Sequence, residues 1–331
     1  MDETSIPTLS LDEANFERAI SFFSIYDLQV EIGFEKKKTY LGVKMPRICR
    51  FCHKTDKEAK FSNDAHVLPQ FTGNRNLMSY FECNECNDRF SLYEDSLAKY
   101  IGITRTIHQI KGKLATKVPK FKDPKTGLQL FFDEVNQKLI LIQEDGNVII
   151  DEQNKKLIIK TARNTYVPVH IPKTLLKIAF CSLPEEELKG YDRLRRLLIQ
   201  TETNYAVQDN PLFHVYGYFV PGPTYSKTPS ALLYTKKPDQ QSLPTPQKQL
   251  VFRYANYVLQ IPLIGDQDQW LSGQSMQLPL YPLMVDAAYF EKYGTYQPLD
   301  LNLTSSEKRK DEPHVITFSI DIVIRPGQDE I

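Results

Sequence analysis

The stretch Cys49-Arg50-Phe51-Cys52, followed after 30 residues by Cys83-Asn84-Glu85-Cys86-Asn87, decides how this chain is read. Each C-x2-C brings two thiols within one tight turn, and four thiolates in two such knuckles match the tetrahedral preference of zinc. The interval between the pairs exceeds the roughly 15 to 20 residues of a simple ribbon, so something further must be folded inside it. His53 follows Cys52 directly, but four sulfurs already fill the tetrahedron, and His53 reads as exposed. The fifth cysteine, Cys181, stands apart and reads as a buried thiol. Five cysteines in 331 residues are too sparse for a disulfide scaffold.

Between the pairs the chain runs Phe61-Ser62-Asn63-Asp64-Ala65-His66-Val67-Leu68-Pro69 and then Gly73-Asn74-Arg75-Asn76-Leu77. After Asn87, the residues Phe90, Leu92, Tyr93, Leu97, Tyr100 and Ile101 recur at helical spacing. The order is a Cys pair, His-x-x-Pro, Gly-Asn, and a second Cys pair with Asn immediately after it. In this order residues 45–102 resemble the HNH endonuclease superfamily, the ββα-metal fold.

The resemblance implies that a hairpin carries His66 and that the following helix carries Asn87, with the zinc clamp holding the two in register. It further implies His66 as general base and Asn76 as the residue orienting it, a role that Asn74 could exchange. Asn87 and a nearby carboxylate would be the ligands of a hard divalent ion, magnesium or manganese. Many family members place Asp or Glu directly before the histidine, whereas this chain has Ala65, so Asp64, Glu94 or Asp95 must substitute. Asp95, on the helix, is favoured. Asp64 stays in play because it shares the face of His66 on a regular strand.

Phosphodiester hydrolysis needs an activated water and charge stabilisation at phosphorus, and an imidazole titrating near neutrality suits the base role. The expected substrate is DNA, with RNA as the alternative. One such site cuts one strand, so double-strand cleavage calls for a homodimer or successive nicks. The rival reading is a zinc-stabilised nucleic-acid-binding or adaptor protein without catalysis, for which Ala65 is the best argument.

Charge is divided along the chain. The total is zero, with 41 Lys and Arg against 41 Asp and Glu. Residues 35–125, however, hold 19 basic against 10 acidic groups, while residues 1–34 hold one Arg against seven acidic groups. A basic stretch alone reads as a solvated face. Beside this motif, Lys99, Arg105, Lys111 and Lys113 become candidates for nucleic-acid contact.

The remaining patterns predict an α+β chain: an N-terminal zinc-stabilised ββα module followed by a mostly antiparallel α+β domain. Ser10 and Glu13 form a capping box ahead of Phe16, Ile20 and Phe23, which predicts a short N-terminal helix. A β-meander is predicted from runs at 128–132, 138–143, 148–151 and 156–161. Two helices are predicted over 175–180 and 186–200, then strands over 213–220, 250–261 and 315–324. The expected units are an acidic helix or leader over 1–34, the nuclease module with its basic helical extension over 35–125, and a regulatory, targeting or self-association domain over 126–331. The layout is similar to that of bacterial defence nucleases. With acidic first residues and no apolar run of membrane length, a cytoplasmic location is expected.

Overall fold

The computed structural model describes residues 10–111, 117–123, 125–143, 146–200, 213–266, 268 and 277–319. Asp12, rather than Ser10, starts the first helix, α1 (Glu13–Ile25), accepting from the Asn15 backbone N–H at 2.9 Å. The helix buries Phe22 and Asn15, while Phe16 and Ile20 stay 57% and 58% exposed, so the apolar stripe read from the sequence faces away from the core. The anchoring is polar as well as apolar: the Asn15 side-chain oxygen accepts from the Leu283 backbone N–H at 3.0 Å.

The chain passes directly from α1 into β1 (Tyr26–Ile32) and then into the ββα unit. That unit comprises β2 (Thr39–Leu41), β3 (Ala65–His66), β4 (Leu77–Ser79) and the long helix α2 (Asn84–Ile101), followed by one turn, α3 (Thr104–Ile107). β4 lies between β2 and β3, parallel to the first and antiparallel to the second. Next come β5 (Phe121–Lys122), β6 (Gln129–Asp133) and β7 (Lys138–Ile142), then β8 (Val148–Asp151) and β9 (Lys156–Ala162). The four runs predicted as one meander are strands, but they are split between two three-stranded sheets.

Helix α4 (His170–Ser182) is buried along its whole length, and α5 (Asp192–Ile199) follows a 3-10 segment at Glu185–Tyr191. The remainder is β10 (His214–Phe219), β11 (Ser226–Lys236), β12 (Lys248–Ala255), β13 (Tyr257–Leu263), α6 (Ala287–Tyr293), β14 (Gln297–Asn302) and β15 (Pro313–Ser319). The run predicted as one strand over 250–261 is a hairpin that turns at Ala255-Asn256. The predicted strand at 315–324 is seen as β15 up to Ser319, and its remainder lies outside the described residues. The fold class is α+β, as read from the sequence.

The largest sheet is antiparallel, in the order β1-β11-β12-β13-β10-β14. Its edge strand β1 comes from the segment read as an acidic leader, because residues 26–32 pair antiparallel with the distant β11. Helix α4 packs on β11, β12 and β13 with one face and on α2 with the other. One continuous apolar core therefore runs from Phe51 and Phe90 through Phe180 to Leu250 and Phe252. Each such side chain contributes about 1.5–3 kcal/mol by leaving water. The boundaries at 34 and 125 consequently do not separate independent cores. No helix among the described residues is long and apolar enough to cross a membrane.

Candidate active site

The four cysteine sulfurs lie within 4.8 Å of one another, the one such cluster of three or more His, Cys, Asp or Glu ligand atoms among the described residues. Cys83 stands at the start of α2 and Cys86 in its first turn, so the second knuckle is built into the helix. A Lys54–Glu85 ion pair at 2.7 Å spans the two knuckles, and His53 is exposed beside them. The Cys86 thiol holds Cys49 down to about 5, while burial pushes Cys83 up to about 12 and the Cys49 thiolate pushes Cys86 up. Four sulfurs this close cannot all ionise without a cation among them, and the all-sulfur donor set fits zinc.

Between the knuckles, β3 and β4 form the hairpin that carries His66. Asn74 pins its connection: the amide donates to the Leu68 and Leu77 carbonyls at 2.8 and 3.0 Å and accepts from the Leu77 N–H at 3.0 Å. Gly73, at φ 91°, closes the preceding turn in the left-handed region that glycine adopts at least cost. The resemblance assigns Asn76 to orient His66, but the Asn76 amide donates to the Glu35 carbonyl at 2.7 Å. The hairpin-holding asparagine is Asn74, because its side chain points into the connection while that of Asn76 points back toward residue 35.

His66 opens onto a polar cleft of about 650 Å³ shared with Asp64, Asn87, Ser91, Glu94, Arg75 and Lys38. Three of these come from α2, where positions 87, 91 and 94 share one face at 100° per residue. Asp95, the favoured carboxylate, is one residue further round. It pairs with Lys99 at 2.6 Å on the exposed side and does not line the cleft. Glu94 lines the cleft. Asp64 does share the cleft with His66; it accepts from Lys38 at 2.7 Å and from the Tyr40 hydroxyl at 3.1 Å. The Lys38 ammonium holds the Asp64 carboxyl below the usual carboxylate range.

Beneath the cleft sits a buried ionic cluster that the sequence motifs do not announce. Lys177, from α4, donates to the His66 carbonyl at 2.5 Å and to Glu94 Oε1 at 3.3 Å, with Glu82 Oε2 3.5 Å away. Burial pushes Glu82 up to about 7 and raises Glu94 as well. Burial pulls Lys177 down, but the two carboxylates more than offset this and hold it charged. Its signal in the sequence is a pair of lysines, 173 and 177, spaced one turn apart in an otherwise apolar helix.

Glu82 and Glu94 share the one Lys177 ammonium under the cleft, and Asp64, Asn87 and Glu94 line it with oxygen donors. Such a sparse set suits magnesium, which takes one or two carboxylates and fills its shell with water and substrate phosphate. Of the basic residues proposed for nucleic-acid contact, Lys111 is exposed and Lys99 is partly exposed and tied to Asp95. Arg105 is half-buried, with burial holding its guanidinium below the usual value, so it does not present a free phosphate contact. Lys113 lies outside the described residues.

Comparison with curated proteins and with solved structures found no match. Residues 49–99, which run from the first knuckle through most of α2, match the family model of the HNH endonucleases, and this segment holds all four cysteines of the candidate zinc site.

Proposed function

We propose that the protein is a metal-dependent endonuclease that hydrolyses phosphodiester bonds of DNA, with His66 as the general base. The observation that supports this most is the convergence of His66, Asp64, Asn87 and Glu94 on one cleft from two elements that the zinc knuckles hold in register. His66 accepts a proton from a water molecule, the water oxygen forms a new bond to phosphorus, and the bond from phosphorus to the ester oxygen breaks. A divalent magnesium or manganese ion, when bound by Asn87 with Glu94 or Asp64, supplies charge stabilisation at phosphorus and at the leaving oxygen. Lys38 and Arg75 at the cleft wall attract the phosphate backbone, and Lys111 extends that positive surface.

None of these groups reads bases, so target choice falls to other parts of the chain. In this reading residues 126–331 regulate or direct the cut, a homodimer supplies two sites for two strands, and the setting is a cytoplasmic defence or restriction effector.

A nucleic-acid-binding adaptor without catalysis is the second reading, and Ala65 ahead of the histidine is the observation that favours it. Plasmid DNA and RNA incubated with wild type and His66→Ala, each with magnesium, manganese or EDTA, separate the two. Metal-dependent cutting abolished in His66→Ala supports the nuclease. Cutting that survives the substitution overturns the mechanism, and binding without cutting favours the adaptor.

A further inference from the structure

A lysine buried in an apolar helix is costly: desolvating the ammonium takes several kcal/mol, and well-packed apolar residues of similar volume often give equal or better stability. Helix α4 nevertheless buries two. Lys173 reaches the Tyr93 hydroxyl at 3.4 Å and the Gln200 carbonyl at 3.3 Å, contacts that join α4 to α2 and to the end of α5. Lys177, one turn on and 1% exposed, reaches instead into the hairpin and the catalytic face of α2. Its three partners are the backbone of the proposed general base, the one cleft-lining carboxylate of α2, and Glu82, which precedes the second knuckle.

We propose that Lys177 is a positioning residue of the nuclease site, delivered by α4 from outside the HNH segment, which fixes the His66 backbone and the Glu94 carboxylate relative to each other. The proposal rests on the nuclease reading for its catalytic consequence. The geometry supplies the reason: β3 is two residues long, and its His66 carbonyl is held by the ammonium. Glu94 keeps 18% of its side chain accessible and faces both the cleft and Lys177. A single ammonium thus ties together two cleft groups that come from different elements, the His66 carbonyl of β3 and the Glu94 carboxylate of α2. On this view the site is complete only when α4 is docked, which couples catalysis to the integrity of the second half of the chain.

The test compares the full-length protein with Lys177→Met combined with Glu82→Gln, and with Lys173→Met. The double variant removes the ammonium without leaving Glu82 buried and unpaired, so it keeps the fold, while Glu94 retains access to cleft water. Zinc content and the melting transition verify folding. Cleavage of a labelled DNA duplex with manganese is measured as kcat and KM, and hydrogen exchange is followed at residues 65–68 and 49–52. We expect kcat of the double variant to fall about 100-fold, the cost of a misplacement of about 1 Å, with KM within about threefold. We also expect exchange at 65–68 to rise about tenfold while 49–52 stays protected. Lys173→Met should lose stability but keep kcat within about threefold.

A folded double variant that cuts like wild type overturns the positioning role, and so does unchanged exchange at 65–68. An equal loss of kcat in Lys173→Met also overturns it, since α4 packing alone would then explain the effect. Failure of wild type to cut any nucleic acid defeats the nuclease reading instead, and the exchange comparison still decides whether Lys177 holds the strand.

Discussion

Arg50, which sits between the first two zinc-site cysteines, donates to the Leu183 carbonyl at 3.1 Å and so caps the end of α4. The same guanidinium nitrogen donates to the Phe180 and Cys181 carbonyls, and its neighbour pairs with Glu185 at 2.8 Å. The last carbonyls of a helix lack intrahelical donors and carry partial negative charge, so a planar, fully charged donor is well matched to them. From the opposite side, Arg195 of α5 donates to the Phe51 carbonyl at 2.6 Å. The zinc knuckle is therefore a structural partner of α4 and α5 as well as the base of the hairpin.

Replacing Arg50 with Ala leaves those carbonyls without their charged donor in a site where the side chain is only 8% exposed. The expected loss is about 2 kcal/mol in urea unfolding, with zinc retained. A change of less than about 0.5 kcal/mol would show that water replaces the guanidinium at no cost.

Zinc removal should propagate. Cys83→Ser, or a chelator acting on wild type, is expected to release zinc and lower the melting temperature of the whole chain in one transition, because the knuckle and the large sheet share a core. His66→Ala should melt within a few degrees of wild type. Two separate transitions on chelation would show that the halves unfold independently.

Glu94 and Asp95 are adjacent in sequence and face different surroundings, the cleft and the exposed side of α2. Glu94→Gln is expected to lower kcat by about 100-fold or more through loss of a charged group in the cleft. Asp95→Ala, which removes only the exposed pair with Lys99, should leave kcat within about threefold and stability within about 0.5 kcal/mol. The reverse pattern in metal-dependent cleavage would restore Asp95 to the site.

Acid should weaken the fold through His314 on β15, whose imidazole is pushed down to about 3 by burial and by Arg163 nearby. Because the folded value lies below the unfolded one of about 6.5, its contribution is complete above that pH. It is lost progressively as pH falls toward 3, at about 1.4 kcal/mol per pH unit. His314→Phe should reduce the slope of the stability profile between these limits, while His108, pushed down to about 4 by burial, keeps part of it. An unchanged slope in urea midpoints across that range would rule the residue out as the cause.

Local chemistry is legible in the order of the residues. The two C-x2-C pairs, the His-x-x-Pro segment and the helical spacing after Cys86 name the zinc site, the hairpin and α2, because metal ligation and helix periodicity are written at short separations. Strand alternation alone places Asp64 on the face of His66. What the pattern leaves open is direction. Asn74 against Asn76, and Glu94 against Asp95, differ by one or two positions, and the composition of the segment does not say which side chain turns inward. The N-terminal helix shows the same limit, since Phe22 rather than Phe16 and Ile20 meets the core.

The sequence by itself thus marked the four-cysteine cluster, the HNH-like segment and the candidate base. Only the tertiary structure decided what surrounds that base. β1 joins a strand about 200 residues away in the chain, and Lys177 reaches His66 across 111 positions, because burial of apolar faces is non-local. Where a charge is carried into such a core, its partners are set by three-dimensional packing, and no spacing rule along the chain encodes them.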